Sequence, residues 1–536
     1  MIPPSSLDDR RYVDWIPVHF IRPTRVFPMN FGSALVCFVV LSIGIFSFDV
    51  RAADERARGV SLVAPNVVLL MGDDHGWDET GYNGHPYLKT PVLDEMARTG
   101  LRLDRFYSGG ASCSPTRATV ITGRHHHRAG TFAPGWSTRP EEISIAQLMH
   151  GAGYATAHFG KWHLGPVKAA SPTNPGAMGF DTWLSHDNFF ELDPSLSRNG
   201  GPPQVIKGES SEIIMAEAIR YIEASRRAGQ PFFVVVWFGS PHEPYQALPK
   251  DLALYDQLPA TFGNRQVKLT SNTTGRNTTR LQRDVLRERF AEITAMDRSI
   301  GQLREHLSAV GLRANTLLWY CGDNGTPQEA VATVPFRSHK GSIYEGGIRV
   351  PGVIEWPAKI SRPRVSDVNA VTSDILPTLC ELVGRPLPRR PLDGLSLRAL
   401  LDGTMTERVA PICFWDNPIA RHPGAKPYID PELQKGTTPL VKLGPDGTAT
   451  RDFQNYQHNE ILPQDYAGPR AVIGNRFKLA VDGTKGSGRE LFDLRADPAE
   501  KNNLIATHAA EAKKLEAVLQ TWQRSVLESL TGADYR

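Results

Sequence analysis

Several short polar groups follow at once on apolar runs: Asp73-Asp74-His75 after APNVVLLM, Lys161 and His163 in GKWHLG, His242 in SPHEP, and Asp323-Asn324 in CGDNG. Adjacent carboxylates repel one another unless a positive charge sits between them. Asp73, Asp74, Asp323 and Asn324 therefore read as hard oxygen ligands for Ca²⁺ or Mg²⁺. Zinc is less suited, because neither a CxxC pair nor an HExxH segment accompanies them. A further segment is Ser112-Cys113-Ser114-Pro115-Thr116-Arg117. Pro115 fits the first turn of a helix and puts Cys113 at its cap, where unpaired N–H groups favour an anion and can seat a nucleophile. Arg117 then lies on the exposed side of that turn and reaches the same point with a planar, permanently charged fork. Each feature alone has a plainer use. DNG is commonly a solvated turn, a lone cysteine before a helix is commonly a small buried hydrophobe, and the consecutive His125, His126 and His127 point in different directions, which suits surface or packing roles.

The elements that must carry these groups form an α/β alternation. Ala64 to Met71, Tyr154 to Phe159, Pro231 to Phe238 and Asn315 to Cys321 are apolar runs suited to buried strands. Helices are expected from Pro91, capped by Thr90 and closed at Gly100, from about Glu212 to Arg227, and from about Leu281 to Val310. Ligands of open α/β sheets bind outside the carboxyl ends of the strands, so the polar groups can line one cleft. The expected fold is a large, mixed but mostly parallel sheet between helices, with a smaller C-terminal α+β domain. Residues 411 to 470, dense in Pro, Gly and Asn, read as long loops beside the site. After them Ala471 to Val481 alternates up to a turn at Asp482-Gly483, Leu491 to Leu494 can pair with it, and a helix runs from about His508 to Leu530. This divides the chain into an N-terminal extension at 1–52, a catalytic α/β domain at 62–405 and a C-terminal subdomain at 406–536.

The 536 residues carry a net charge of only +3, with no long basic tract, which argues against a nucleic-acid partner. Five cysteines without a CxxC pair encode neither a zinc ribbon nor a disulfide framework. The apolar run Phe31 to Phe48, preceded by Arg10, Arg11, Arg22 and Arg25, reads as the core of an export signal cleaved after Ala52, so no stable membrane span is expected after processing. A retained membrane anchor is the alternative, and Met29 is a second candidate start.

Cys113-Ser114-Pro115-Thr116-Arg117 with Thr122-Gly123-Arg124 resembles the C-x-P-[ST]-R…TGR motif of the type I sulfatases of the alkaline phosphatase superfamily, and GKWHLG resembles their second motif. DDHG, SPHEP, CGDNG and HKGSIYEGGIRVP fall in the family's order, as does the ending ELFDL…DP…NL. The resemblance implies that a maturation enzyme oxidises Cys113 to formylglycine. The hydrated aldehyde attacks sulfur through one hydroxyl and expels sulfate by re-forming the aldehyde, a cycle that a thiol could not close. It also implies one Ca²⁺ held by Asp73, Asp74, Asp323, Asn324 and residue 113. Arg117 and Lys161 then offset developing charge, and His163 acts on the second hydroxyl. His242 and Lys340 resemble the groups that meet the bridging oxygen and protonate the leaving alcohol. Ser185, in LSHDNFF, resembles a sulfate-contacting serine. The implied substrate is a sulfated carbohydrate or small molecule, and the implied location is periplasmic or secreted. Trp136, Trp183, Trp237, Asp416, Asn417, His422 and His458 are candidates for a sugar-binding rim. Two rival readings stay open: a formylglycine-dependent phosphonate or phosphate monoester hydrolase, and a catalytically dead carbohydrate-binding relative.

Overall fold

The apolar runs become strands because both of their faces are covered. The computed structural model describes residues 64–271, 276–416, 424–440, 450–483 and 488–535. The expected export signal at 1–52, Asn417 and His422 lie outside these residues. Along the chain the main sheet contains β1 (Asn66–Gly72), β2 (Leu101–Leu103), β3 (Ala155–Lys161), β4 (Thr182–His186) and β5 (Ser195–Arg198). It continues with β6 (Gln204–Val205), β7 (Phe232–Trp237), β8 (Thr316–Gly322), β9 (Gly352–Glu355) and β10 (Arg364–Ser366). Across the sheet the order is β10-β2-β9-β8-β1-β7-β3-β4-β5-β6. Strands β8, β1, β7, β3 and β4 are mutually parallel neighbours, and antiparallel pairing begins at β9 and at β5.

The strands with polar ends are thus adjacent, and their register aligns those ends. Gly72 lies opposite Gly322, and Trp237 lies opposite both Met71 and Gly160. Gly160 makes this possible. Its φ is +104°, and a Cβ there would sit 1.9 Å from the Trp237 carbonyl oxygen, so only glycine lets β3 end beside β7.

Helices α1 (Pro91–Thr99), α2 (Cys113–Thr122), α3 (Ser210–Arg227) and α4 (Gln282–Ala309) close the two faces. Val68 and Leu70 of β1, with Val234, Val236 and Leu318, pack against Met96 of α1, Ile214 and Ala218 of α3 and Phe290 and Ile293 of α4. Val67, Leu69 and Met71 point the other way and join Val235, Trp319, and Val120 and Ile121 of α2. One expected cap is different. The Thr90 hydroxyl accepts from the Gly81 N–H and donates to Asp94, while the Asp297 carboxylate, arriving from α4, accepts from the Val92 and Leu93 N–H groups at 3.0 and 2.8 Å. A tertiary acceptor has replaced the local one.

The C-terminal sheet is antiparallel in the order β11 (Ile412–Trp415), β12 (Arg470–Ile473), β13 (Phe477–Val481), β14 (Arg489–Asp493). Two expectations change here. The run from Ala471 to Val481 is two strands, broken where Gly474 turns back onto Phe477. The region read as loops also supplies β11, whose four residues are too few to show against the Pro-rich background. Helix α5 (Ala509–Leu530) covers one face through Leu515 and Leu519 against Val472, Leu479 and Leu491. The other face, with Ala471, Ile473 and Phe492, packs on Tyr344 and Ile348. Leu62–Arg536 forms one compact unit. Among the described residues no helix is long and apolar enough to cross a membrane.

Candidate active site

Helix α2 begins with Cys113 as its first residue and extended Ser112 as its cap, one position from the expected placement. Pro115 falls in the first turn, where its missing N–H costs nothing. Every residue of α2 is buried. Burial pushes the Cys113 thiol above its ordinary range, and the nearby Lys161 and Lys340 charges only partly oppose it. One turn later Arg117 is fully buried rather than on an exposed side, because the helix N-terminus abuts the strand ends. Its guanidinium donates to Asp323 Oδ2 at 2.8 Å and to the Lys161 carbonyl at 3.0 Å, and it lies 5.0 Å over the Trp237 ring.

Asp73 and Asp74 leave β1, with Asp74 in the left-handed region at φ +63°. That turn lets the Asp74 N–H donate to Asp323 Oδ1 at 2.8 Å, while Asn324 Nδ2 donates to Asp74 Oδ1 at 2.9 Å. The three carboxylates are buried together. Burial and then the Asp73 charge hold Asp323 well above the usual carboxylate range. For Asp73 the burial penalty is outweighed by Lys161, His242 and Arg117, and its carboxyl stays below that range.

The donor set fits a hard divalent cation. Among the described residues, Asp73 Oδ1 and Asn324 Oδ1 are buried without a hydrogen-bond partner. Asp73, Cys113 and Asp323 offer ligand atoms within 4.8 Å of one another, and so do Asp73, Asp74 and His242. A positive charge there would satisfy both orphaned oxygens and the crowded carboxylates.

Lys161 ends β3 fully buried and donates to Asp73 Oδ2 at 2.5 Å. His163 follows with φ +59°, buried, both ring nitrogens unpartnered among the described residues. Burial first, then the Lys161 and Arg451 charges, keeps it neutral far below the ordinary histidine range. On the far side of Asp74, Lys340 Nζ lies 2.7 Å from its carboxylate and His242 Nε2 lies 3.7 Å away. Burial would lower the Lys340 value, but Asp74 more than reverses that, so the amine stays charged. His242 is pushed down to about 4 by burial, with Asp74 opposing. Ten of the expected site residues are thus brought together.

Ser185 is not among them. Its hydroxyl bonds to His158 Nδ1 at 2.8 Å inside β4, because the pleat turns it to the core face. Trp237 stacks on Trp162 at 5.9 Å, Trp183 donates to the Val167 carbonyl, and Trp136 packs with Phe132, so these tryptophans serve the interior rather than a rim. His458 is buried against Phe132, and Asp416 is half-buried. His125, His126 and His127 are buried, with Trp522 and Trp415 against them, which is a packing role.

Two supports were absent from the sequence reading. Arg289 of α4 is fully buried, pairs with Glu79 at 2.6 Å and donates to the Asp74 carbonyl at 2.6 Å, fixing the turn that carries the ligands. Its signal was a charge on the stripe of Val285, Ile293 and Ile300. Phe189 stacks on the His242 ring at 4.6 Å and 11°.

The sulfatase family profile matches residues 65–385. An ulvan-active sulfatase of Formosa agariphila is 30% identical over 92% of this chain and 88% of its own length. Human arylsulfatase A is 31% identical over 65% of this chain and 70% of its own length. Among solved structures, BT4656 in complex with its substrate D-glucosamine-2-N,6-O-disulfate superposes with a TM-score of 0.65 at 21% identity, covering 87% of this chain and 99% of that one. With a cysteine-headed helix, a carboxylate cluster and buried cations at the ends of parallel strands, the chain belongs to the type I sulfatases of the alkaline phosphatase superfamily, enzymes that hydrolyse sulfate esters.

Proposed function

We propose that this chain hydrolyses sulfate monoesters on carbohydrates, with residue 113 matured to formylglycine and one Ca²⁺ between Asp73, Asp74, Asp323 and Asn324. The observation that carries the reading is the convergence of Cys113, three buried carboxylates and two orphaned oxygens at one point. Formylglycine, once hydrated, supplies an oxygen nucleophile with a second hydroxyl able to expel sulfate, where a buried, protonated thiol supplies neither. The cation supplies Lewis acidity toward a sulfate oxygen. Arg117, pinned by Asp323 and the Lys161 carbonyl, presents fixed positive charge to the nucleophile and to the charge that develops on sulfate. Lys161 does the same from the Asp73 side. His163, neutral and open at both nitrogens, takes and returns a proton at the residue-113 side chain. Lys340, charged beside Asp74, and His242, oriented by Phe189, meet the bridging oxygen and protonate the departing alcohol.

Carbohydrate is the preferred substrate class because an ulvan-active sulfatase and N-acetylgalactosamine-6-sulfatases are among the relatives. In this reading the chain is exported, loses residues 1–52, and uses 62–405 for catalysis and 406–536 as its C-terminal part. The test compares kcat/KM for matched aryl sulfate and aryl phosphate esters, then a panel of sulfated mono- and polysaccharides. Preference for sulfate is expected; a clear phosphate preference would overturn the assignment.

A further inference from the structure

A cation beside His163 has no part in the chemistry above. The segment from Thr450 to Gln454 is tied at its two ends by bridges to Pro439 and Trp136. Between them the Phe453 N–H donates to the Gln434 carbonyl at 2.8 Å. Burial alternates along it: Thr450, Asp452 and Gln454 are exposed, Arg451 is half-buried and Phe453 is buried. Alternate side chains of an extended segment share a face. Phe453 meets the His163 ring at 6.3 Å, so Arg451 faces the same side of the cleft. Gly436 allows the close approach, since a Cβ there would lie 2.5 Å from the Arg451 carbonyl oxygen.

Arg451 makes no ion pair or side-chain hydrogen bond among the described residues. The adjacent Asp452 accepts from the Gly436 N–H at 3.1 Å. The Arg451 charge nevertheless reaches His163. A half-buried guanidinium held beside the reacting centre, without a counter-ion among the described residues, is matched by an anion on the ligand, and its planar fork suits carboxylate and sulfate alike.

Resting on the sulfatase reading, we propose that Arg451 is a specificity residue that grips a second anionic group of the substrate, a carboxylate or a further sulfate next to the sulfate that is cleaved. The preferred substrates are then polyanionic sulfated sugars rather than sugars with a single charge.

Calorimetric binding to the full-length Cys113→Ala protein, with and without Arg451→Met or Arg451→Lys, tests this. The probes are a monosulfated N-acetylhexosamine, the same sugar with a second sulfate, and a monosulfated disaccharide carrying a uronate. The second anion should tighten binding about 10- to 100-fold. Arg451→Met should erase that ratio and Arg451→Lys should keep part of it, and whichever probe shows the effect identifies the group. Thermal melts confirm that each variant is folded. Equal affinity for the singly and doubly charged probes, or a ratio unchanged by Arg451→Met, overturns the proposal. If the matured parent protein hydrolyses neither these sugars nor an aryl sulfate, the sulfatase reading fails and takes the proposal with it. Aryl sulfate turnover without second-anion discrimination overturns the role of Arg451 alone.

Discussion

Cys113 sits where thiol chemistry is suppressed, since burial keeps its proton on despite two neighbouring lysines. Its small side chain opens a helix that alanine begins equally well. Cys113→Ala should therefore abolish sulfate ester turnover and leave the melting temperature within about 3 °C of the parent. Matched kinetics and calorimetry check this, and loss of folding would make residue 113 structural instead. The neighbouring carboxylates respond to a different probe. Asp73, Asp74 and Asp323 crowd together, and Asp73 Oδ1 and Asn324 Oδ1 have no hydrogen-bond partner among the described residues, so Ca²⁺ at about a hundredfold excess over its Kd should stabilise the fold by about 2.7 kcal/mol. A chelator should reverse the shift, and Asp73→Ala should abolish it; a melting curve indifferent to both would mean that no cation binds there.

At the scale of elements, the turn after β1 depends on α4 as much as on its own sequence. Arg289 bonds the Asp74 carbonyl while pairing with Glu79, both buried. Removing the guanidinium leaves a buried carboxylate unpaired. Arg289→Met should cost about 3–5 kcal/mol in denaturant unfolding, whereas Glu79→Gln with Arg289→Met should recover part of it. An unchanged midpoint for the single variant would show that the pair carries no weight. The same element marks the limit of what the sequence reveals. The strands around Val68, Val234 and Leu318 were legible because uniform hydrophobicity has few other uses, and the polar groups after them because their types are chemical. Arg289 was hidden inside a helix whose periodicity accounted for itself. Ser185 misled because sequence spacing does not reveal to which face a pleated strand turns a side chain, and β11 because four residues carry little pattern.

Across the whole molecule, the C-terminal sheet holds the loop that carries Lys340. Glu490 pairs with Arg337 at 3.0 Å, Lys478 is buried between Glu345 and Glu500, and Glu500 accepts from the Glu345 N–H at 2.7 Å. Burial raises Glu500 to about 7, with Lys478 opposing. An acid whose value is raised on folding contributes stability fully below its unfolded value and loses it as pH climbs through the folded one. Glu500→Gln should therefore make stability fall less steeply between about pH 5 and about pH 8 than in the parent, as read from chemical denaturation; parallel curves would overturn this. The interior position of α2 carries a last consequence, one of timing. With all ten residues of that helix enclosed, no enzyme can reach Cys113 once the sheet has closed over it. Under the proposed maturation to formylglycine, oxidation of that residue precedes folding, and a chain that folds first is locked into a stable but inert form.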